Sequence, residues 1–170
     1  MNDINSLIRK AHSVLNENRN AKYELTDEVH PRNRKLRRIR ALRDIPRNRV
    51  RAGDLGGVVE SEDNLSQSGD AWIADDAQVF ERAHVSGEAY VSERAHVSGN
   101  ASVSGEARVS DKASVSGKAL VFGYAIVSDN ARVSGNAWVY DNVQVSDNAS
   151  VTGDARVSGK EEVSGIDKVS

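Results

Sequence analysis

The 170-residue sequence contains no cysteine, so it can form neither disulfide bonds nor thiolate metal sites. It has no run of apolar residues long enough to span a bilayer. Its first residues, MNDINSLIRKAHSV, lack the basic-then-apolar order of a secretory signal. From these absences we expect a cytoplasmic protein that does not contact a membrane.

The near-neutral net charge of −2 hides an asymmetry between the two parts of the chain. Residues 1–60 contain 14 Lys/Arg and 8 Asp/Glu, whereas residues 61–170 contain 9 and 17. A basic N-terminal part therefore precedes an acidic body.

The acidic body repeats every six residues. Seventeen aliphatic positions run from Ile73 to Val169 without an insertion, and alanine lies two residues before almost all of them. Alternate side chains of an extended segment share a face, so each alanine and valine should point inward together. Serine follows the aliphatic residue in twelve of the seventeen hexads, and Gly, Asp, Asn, Glu or Lys then predict a turn.

One short strand cannot bury its apolar pair alone, but stacked coils can bury continuous rows of them. An amphipathic helix is excluded because its period of 3.6 residues does not fit a repeat of six. A disordered low-complexity tract would not keep an aliphatic residue at every sixth position. The sequence therefore predicts a solenoid in which residues eighteen apart stack.

The segments VSGNAS (97–102), VSDNAR (127–132) and VTGDAR (151–156) resemble the hexapeptide repeat. This resemblance implies an all-β fold, a left-handed parallel β-helix with three strands per 18-residue coil. The hand rests on the resemblance alone, because parallel crossovers generally take the opposite hand. Residues 53–73 resemble the lead-in of uncharacterised bacterial and phage hexapeptide-repeat proteins that carry a transferase label, which says little about function.

Three segments follow from these patterns. Residues 1–20 should contain an amphipathic helix, 21–70 a basic cap and lead-in, and 71–170 the hexapeptide-repeat β-helix. The first two would form a small α+β cap, and the helix would either lie on the first coil or join copies of the chain. Glu161 and Asp167 replace inward alanines, which predicts that the repeat stops there.

The cap contains a dense basic patch between residues 31 and 53 with a single acid. Ile39, Ala41 and Ile45 should face inward between outward arginines. The basic side chains could contact nucleic-acid phosphates, but no aromatic residues alternate with them for base stacking. We favour pairing with the acidic solenoid. The patch comprises Arg32, Arg34, Lys35, Arg37, Arg38, Arg40, Arg43, Arg47, Arg49 and Arg51.

Outward aromatic residues stack in two places. Leu120 and Phe122 should lie beside Trp138 and Tyr140 on one face, with Tyr124 at the adjoining corner. Contiguous exposed aromatics mark a contact surface unless a segment of the same chain covers them. We expect a homo-oligomer, first a trimer and second a dimer, or else a protein partner. Trp72 and Tyr90 should form a second stack on another face.

Catalytic signals are weak. The sequence has no Gly-rich phosphate loop, metal-spaced His/Asp cluster or Ser/His/Asp set, and we expect no metal and no cofactor. The best-known hexapeptide-repeat proteins are trimeric acyltransferases that use a histidine base near an extruded loop. Here the register never breaks, and the candidates His84 and His96 lie twelve residues apart, on different faces.

We therefore expect a non-catalytic binding or scaffolding module, a class that includes phage-type inhibitors acting by protein–protein contact. The first alternative is an acyl-CoA-dependent acyltransferase with His84 or His96 as its base. The second is a nucleic-acid-binding protein that uses the basic patch. Whether the chain is an enzyme stays open on the sequence alone.

Overall fold

The computed structural model describes residues 21–170, so the helix expected within 1–20 lies outside the described residues. The body is a parallel β-solenoid whose coils contribute strands to three sheets, which confirms the predicted fold. Partners in neighbouring coils are eighteen residues apart: Val115 pairs with Val97 and Val133.

Each sheet forms one face of the solenoid. The nine-stranded face contains β1 (Tyr23–His30), β2 (Asn33–Ala41), β3 (Leu55–Val59), β5 (Gln78–Val79), β8 (His96–Val97), β11 (Ser114–Val115), β14 (Arg132–Val133), β17 (Ser150–Val151) and β20 (Lys168–Val169). The six-stranded face contains β4 (Trp72–Ile73), β7 (Tyr90–Val91), β10 (Arg108–Val109), β13 (Ile126–Val127), β16 (Gln144–Val145) and β19 (Glu162–Val163). The five-stranded face contains β6 (His84–Val85), β9 (Ser102–Val103), β12 (Leu120–Val121), β15 (Trp138–Val139) and β18 (Arg156–Val157). Two short 3-10 helices cover Pro46–Asn48 and Glu62–Asn64.

The core consists of the inward rows that the six-residue period predicts. Every inward alanine and valine from Ala77 to Val151 is at most 1% exposed. Burying one valine side chain stabilises a fold by about 1.5 kcal/mol, so only many stacked coils can offset the entropy of ordering them. Glu161 and Asp167 are exposed in the last coil.

The turns lie where the sequence places them, two residues after each inward valine. Gly117 has φ +70° and Asp129 has φ +57°, so both take the left-handed conformation at equivalent corners. The aspartates also link coils, since the Asp129 carboxylate accepts the backbone N–H of Asp147 at 3.3 Å.

The solenoid has an earlier coil that the repeat register does not reveal. Val59 pairs with Val79, and Leu65 pairs with Val85, each across twenty residues instead of eighteen. Both Val59 and Leu65 are fully buried. Two extra residues between Leu65 and Ile73 break the register at this point.

An antiparallel hairpin, β1 and β2, extends the nine-stranded sheet through pairing of β2 with β3. Ile39, Ala41 and Ile45 are buried, as their spacing predicts. A Cβ on Gly56 would lie 2.7 Å from both Ile39 Cγ1 and Trp72 Cζ2. Only glycine at position 56 therefore lets the hairpin pack this closely against the first coils.

Candidate functional site

Leu120, Phe122, Trp138 and Tyr140 form an aromatic patch on the five-stranded face. Leu120 is in register with Trp138, and the Phe122 and Tyr140 rings are parallel, within 3°, at a centroid distance of 5.0 Å. Phe122 meets Trp138 edge-on, with centroids 6.4 Å apart. The stacking distance is close to the spacing of about 4.8 Å between neighbouring strands, so the rings stand upright on successive coils.

All four side chains of the patch are half-buried. The Arg156 guanidinium covers one side of Trp138, with its carbon 4.6 Å from the ring centroid. The coil on the other side carries only Ser102 and Ser104 at the equivalent outward positions. The patch is therefore an apolar strip between polar rows, and apart from Arg156 no residue of the described range 21–170 lies over it.

Tyr124 lies at the corner between the five-stranded and six-stranded faces and is 57% exposed. Its neighbour along the chain, Ile126, is half-buried on the six-stranded face. Tyr124 thus lies around the corner from the aromatic patch rather than within it.

The second aromatic stack, Trp72 and Tyr90, does not form the outward surface that the sequence predicts. Trp72 is in register with Tyr90, but Trp72 is only 1% exposed and belongs to the core. The cap covers it: Gly56 packs against its ring, and the buried residues Ile45 and Val50 join the same hydrophobic cluster. The outward position of Trp72 in the repeat therefore provides no surface for a partner.

The basic patch is largely neutralised within the chain. Arg38 pairs with Glu28 at 2.7 Å and Asp76 at 3.6 Å, and Arg47 pairs with both Glu88 and Glu106. Lys35, Arg37, Arg40 and Arg43 also have carboxylate partners. Exposed pairs of this kind contribute little stability, but they reduce the positive field available to a polyanion. Four members of the basic patch have no carboxylate of residues 21–170 within 4.0 Å: Arg32, Arg34, Arg49 and Arg51.

The two candidate bases are separated by the fold. His84 lies on the five-stranded face and His96 on the nine-stranded face. His84 Nδ1–H donates to the Asp63 carbonyl at 2.6 Å, which holds its ring against the cap. Within residues 21–170, no three His, Asp or Glu side chains are grouped so as to hold a metal ion.

A family model for the YdcK β-solenoid repeat matches residues 127–141 and 143–159. Each matched segment is close to one coil in length, and together they contain Trp138 and Tyr140. The chain is a β-solenoid repeat protein. A search of curated protein sequences finds no significant match. None of the helices in the described part of this solenoid protein is long and apolar enough to cross a membrane.

A buried lysine joins the cap to the solenoid, and no pattern in the sequence distinguishes it from its basic neighbours. Lys22 is fully buried, and its Nζ donates to the Ala71 carbonyl at 2.8 Å. Burial, followed by the nearby Arg43 charge, lowers the pKa of Lys22 from 10.5 to about 8. The neighbouring Tyr23 hydroxyl donates to the Leu65 carbonyl, and burial raises the pKa of Tyr23 above its ordinary 10.0.

This lysine should make the stability of the cap depend on pH. Between pH 8 and 10.5 the unfolded chain binds more protons at Lys22 than the folded chain, so the free energy of unfolding should rise with pH. Above pH 10.0, where the unfolded Tyr23 loses its proton first, that residue should reverse the rise. Urea unfolding at several pH values should show the rise in the native chain and in the exposed control Lys35→Met, but not in Lys22→Met. A native profile that is flat or falls between pH 8 and 10.0 would contradict this account of Lys22.

Proposed function

We propose that this protein is a non-catalytic binding and scaffolding module whose aromatic patch binds a second copy of the same chain. The observation that supports the proposal is the patch itself: four contiguous half-buried apolar side chains on a face whose other outward rows are His, Ser and Arg. Water contact with such a surface is unfavourable, and no segment within residues 21–170 covers it.

The surroundings of the patch favour another flat face as its partner. Three of its four border positions are serines, which let a second solenoid approach closely: Ser102, Ser104 and Ser158. Arg156, at the fourth, lies over Trp138. Closed rotational symmetry is the usual arrangement for copies of one chain. A three-sided body can place one face against each of two copies, so a trimer is our first assignment and a dimer the second.

The proposal also includes the type of repeat, the hand of the solenoid and its mode of action. The unbroken six-residue register supports hexapeptide-type coils, for which we propose a left-handed path. A module of this kind could act as a phage-type inhibitor, blocking another protein by surface contact. The acyltransferase and nucleic-acid alternatives are weaker, because His84 and His96 lie on different faces and most of the basic patch is paired.

Light scattering tests the proposed association. The native chain should have the molar mass of an oligomer, whereas Phe122→Ser combined with Trp138→Ser should be a monomer that keeps its β signal. The matched control, Gln78→Ser combined with Arg132→Ser, changes the same kind of outward position on the nine-stranded face and should remain assembled. A monomeric native chain, or an aromatic variant that still assembles, would refute this interface.

A further inference from the structure

The turn between Ile45 and Val50 forms a ridge beside the six-stranded face, at the corner that precedes its strands. Ile45 and Val50 are buried and exchange two backbone hydrogen bonds of 2.8 and 3.2 Å. The Asn48 side chain donates to the Asp70 carbonyl, and Arg47 pairs with Glu88 at 2.5 Å and with Glu106. These contacts attach the ridge to the solenoid.

A groove runs along the edge of this ridge. One part, of about 340 Å³, is lined by Arg47, Asn48, Arg49, Tyr90 and Arg108. An adjoining part, of about 320 Å³, shares Arg47, Asn48 and Arg108 and continues to Tyr124 and Ile126. Its other lining residues are Asn142 and the two carboxylates that pair with Arg47, Glu88 and Glu106. The three shared lining residues place the two parts side by side, and we treat them as the two ends of one groove.

The two ends of the groove differ in chemistry. Arg47 is neutralised by its two carboxylates, but Arg49 and Arg108 have no carboxylate within 4.0 Å among residues 21–170. Tyr90 lines the same end. The pKa of its hydroxyl is raised by burial and then by Asp75, so the hydroxyl remains a hydrogen-bond donor. The opposite end offers the exposed ring of Tyr124 and the side chain of Ile126.

We propose that this groove binds a small ligand that carries an oxyanion, either a phosphate or a carboxylate, on an apolar or aromatic body. Arg49 and Arg108 bind the oxyanion through their guanidinium groups, whose planar arrangement of N–H donors matches it, and Tyr90 donates a further hydrogen bond. The ligand body lies against Tyr124 and Ile126. The site is separate from the aromatic patch, which lies on another face.

Calorimetry with the full chain at low ionic strength tests this site with three probes: inorganic phosphate, phenyl phosphate and benzoate. Phenyl phosphate should bind about tenfold more tightly than inorganic phosphate, because its ring is buried at the apolar end. Arg49→Gln combined with Arg108→Gln should weaken both phosphate probes at least tenfold. Ile126→Ser should weaken phenyl phosphate and benzoate but leave inorganic phosphate unchanged. The ratio of benzoate to phenyl phosphate affinity shows which oxyanion the arginines prefer.

The matched control is Arg132→Gln, which removes an arginine from the equivalent outward position on the nine-stranded face and should leave every affinity unchanged. Unchanged far-UV circular dichroism identifies the variants that remain folded. The proposal is overturned if no probe binds, if Arg132→Gln weakens binding as much as the groove variant, or if the phenyl ring adds no affinity.

Discussion

Val103→Asp should unfold the solenoid, lowering the free energy of unfolding by about 5 kcal/mol, at the extreme of single substitutions. Val103 is fully buried and pairs with Val85 and Val121 in the neighbouring coils. A carboxyl group there would have only alanine and valine side chains around it, so burial would leave it without a polar partner. The coils depend on stacking, so the loss should spread along the body.

Thermal unfolding followed by far-UV circular dichroism measures this effect. The control is Ser102→Asp, which places the same carboxyl on the same strand but on its outward side, where it stays hydrated. Ser102→Asp should melt close to the native chain. A Val103→Asp variant that folds and melts like the native chain would count decisively against the inward valine row.

Gly56→Ala should produce the second large effect, a loss of about 3 kcal/mol through overpacking. The added Cβ would lie 2.5 Å from the Ile73 carbonyl oxygen and 2.7 Å from both Ile39 and Trp72. The hairpin would have to move away from the first coils, so Trp72 should become accessible to a fluorescence quencher. Chemical unfolding and quenching can be measured on the same sample.

The control for this variant is Gly53→Ala. Gly53 has φ +96° and no atom within 4 Å of an added Cβ, so alanine there should cost only about 1–2 kcal/mol of backbone strain. Equal losses from the two variants would mean that the contact between Gly56 and Trp72 does not hold the cap in place.

The sequence predicts the solenoid body in detail because its information is local and repeated. Within each hexad the residue types show which pair points inward and where the turn lies. Strands eighteen residues apart then pair because three hexads make one coil and the coils stack. The aromatic patch is predictable for the same reason, since Leu120 and Trp138 differ by one coil.

Features that depend on contacts between the cap and the solenoid could not be predicted in this way. Trp72 and Trp138 occupy equivalent outward positions, yet only Trp72 is covered, because Gly56 and the cap pack against it. The pairing of Arg47 with Glu106 joins residues far apart in sequence, and no repeat encodes it. The two extra residues after Leu65 likewise make the earliest coil twenty residues long, so the six-residue repeat does not reveal it.

Tryptophan quenching by acrylamide tests the central claim, that the aromatic patch joins copies of the chain. The protein has two tryptophans: Trp72 is buried in the core, and Trp138 lies half-buried in the patch. In the native chain at high protein concentration, both tryptophans should be protected from the quencher. On dilution, Trp138 alone should become quenchable. In the Phe122→Ser variant, Trp138 should be quenchable at every concentration. A Trp138 that is equally quenchable in the native chain at every concentration would contradict the claim.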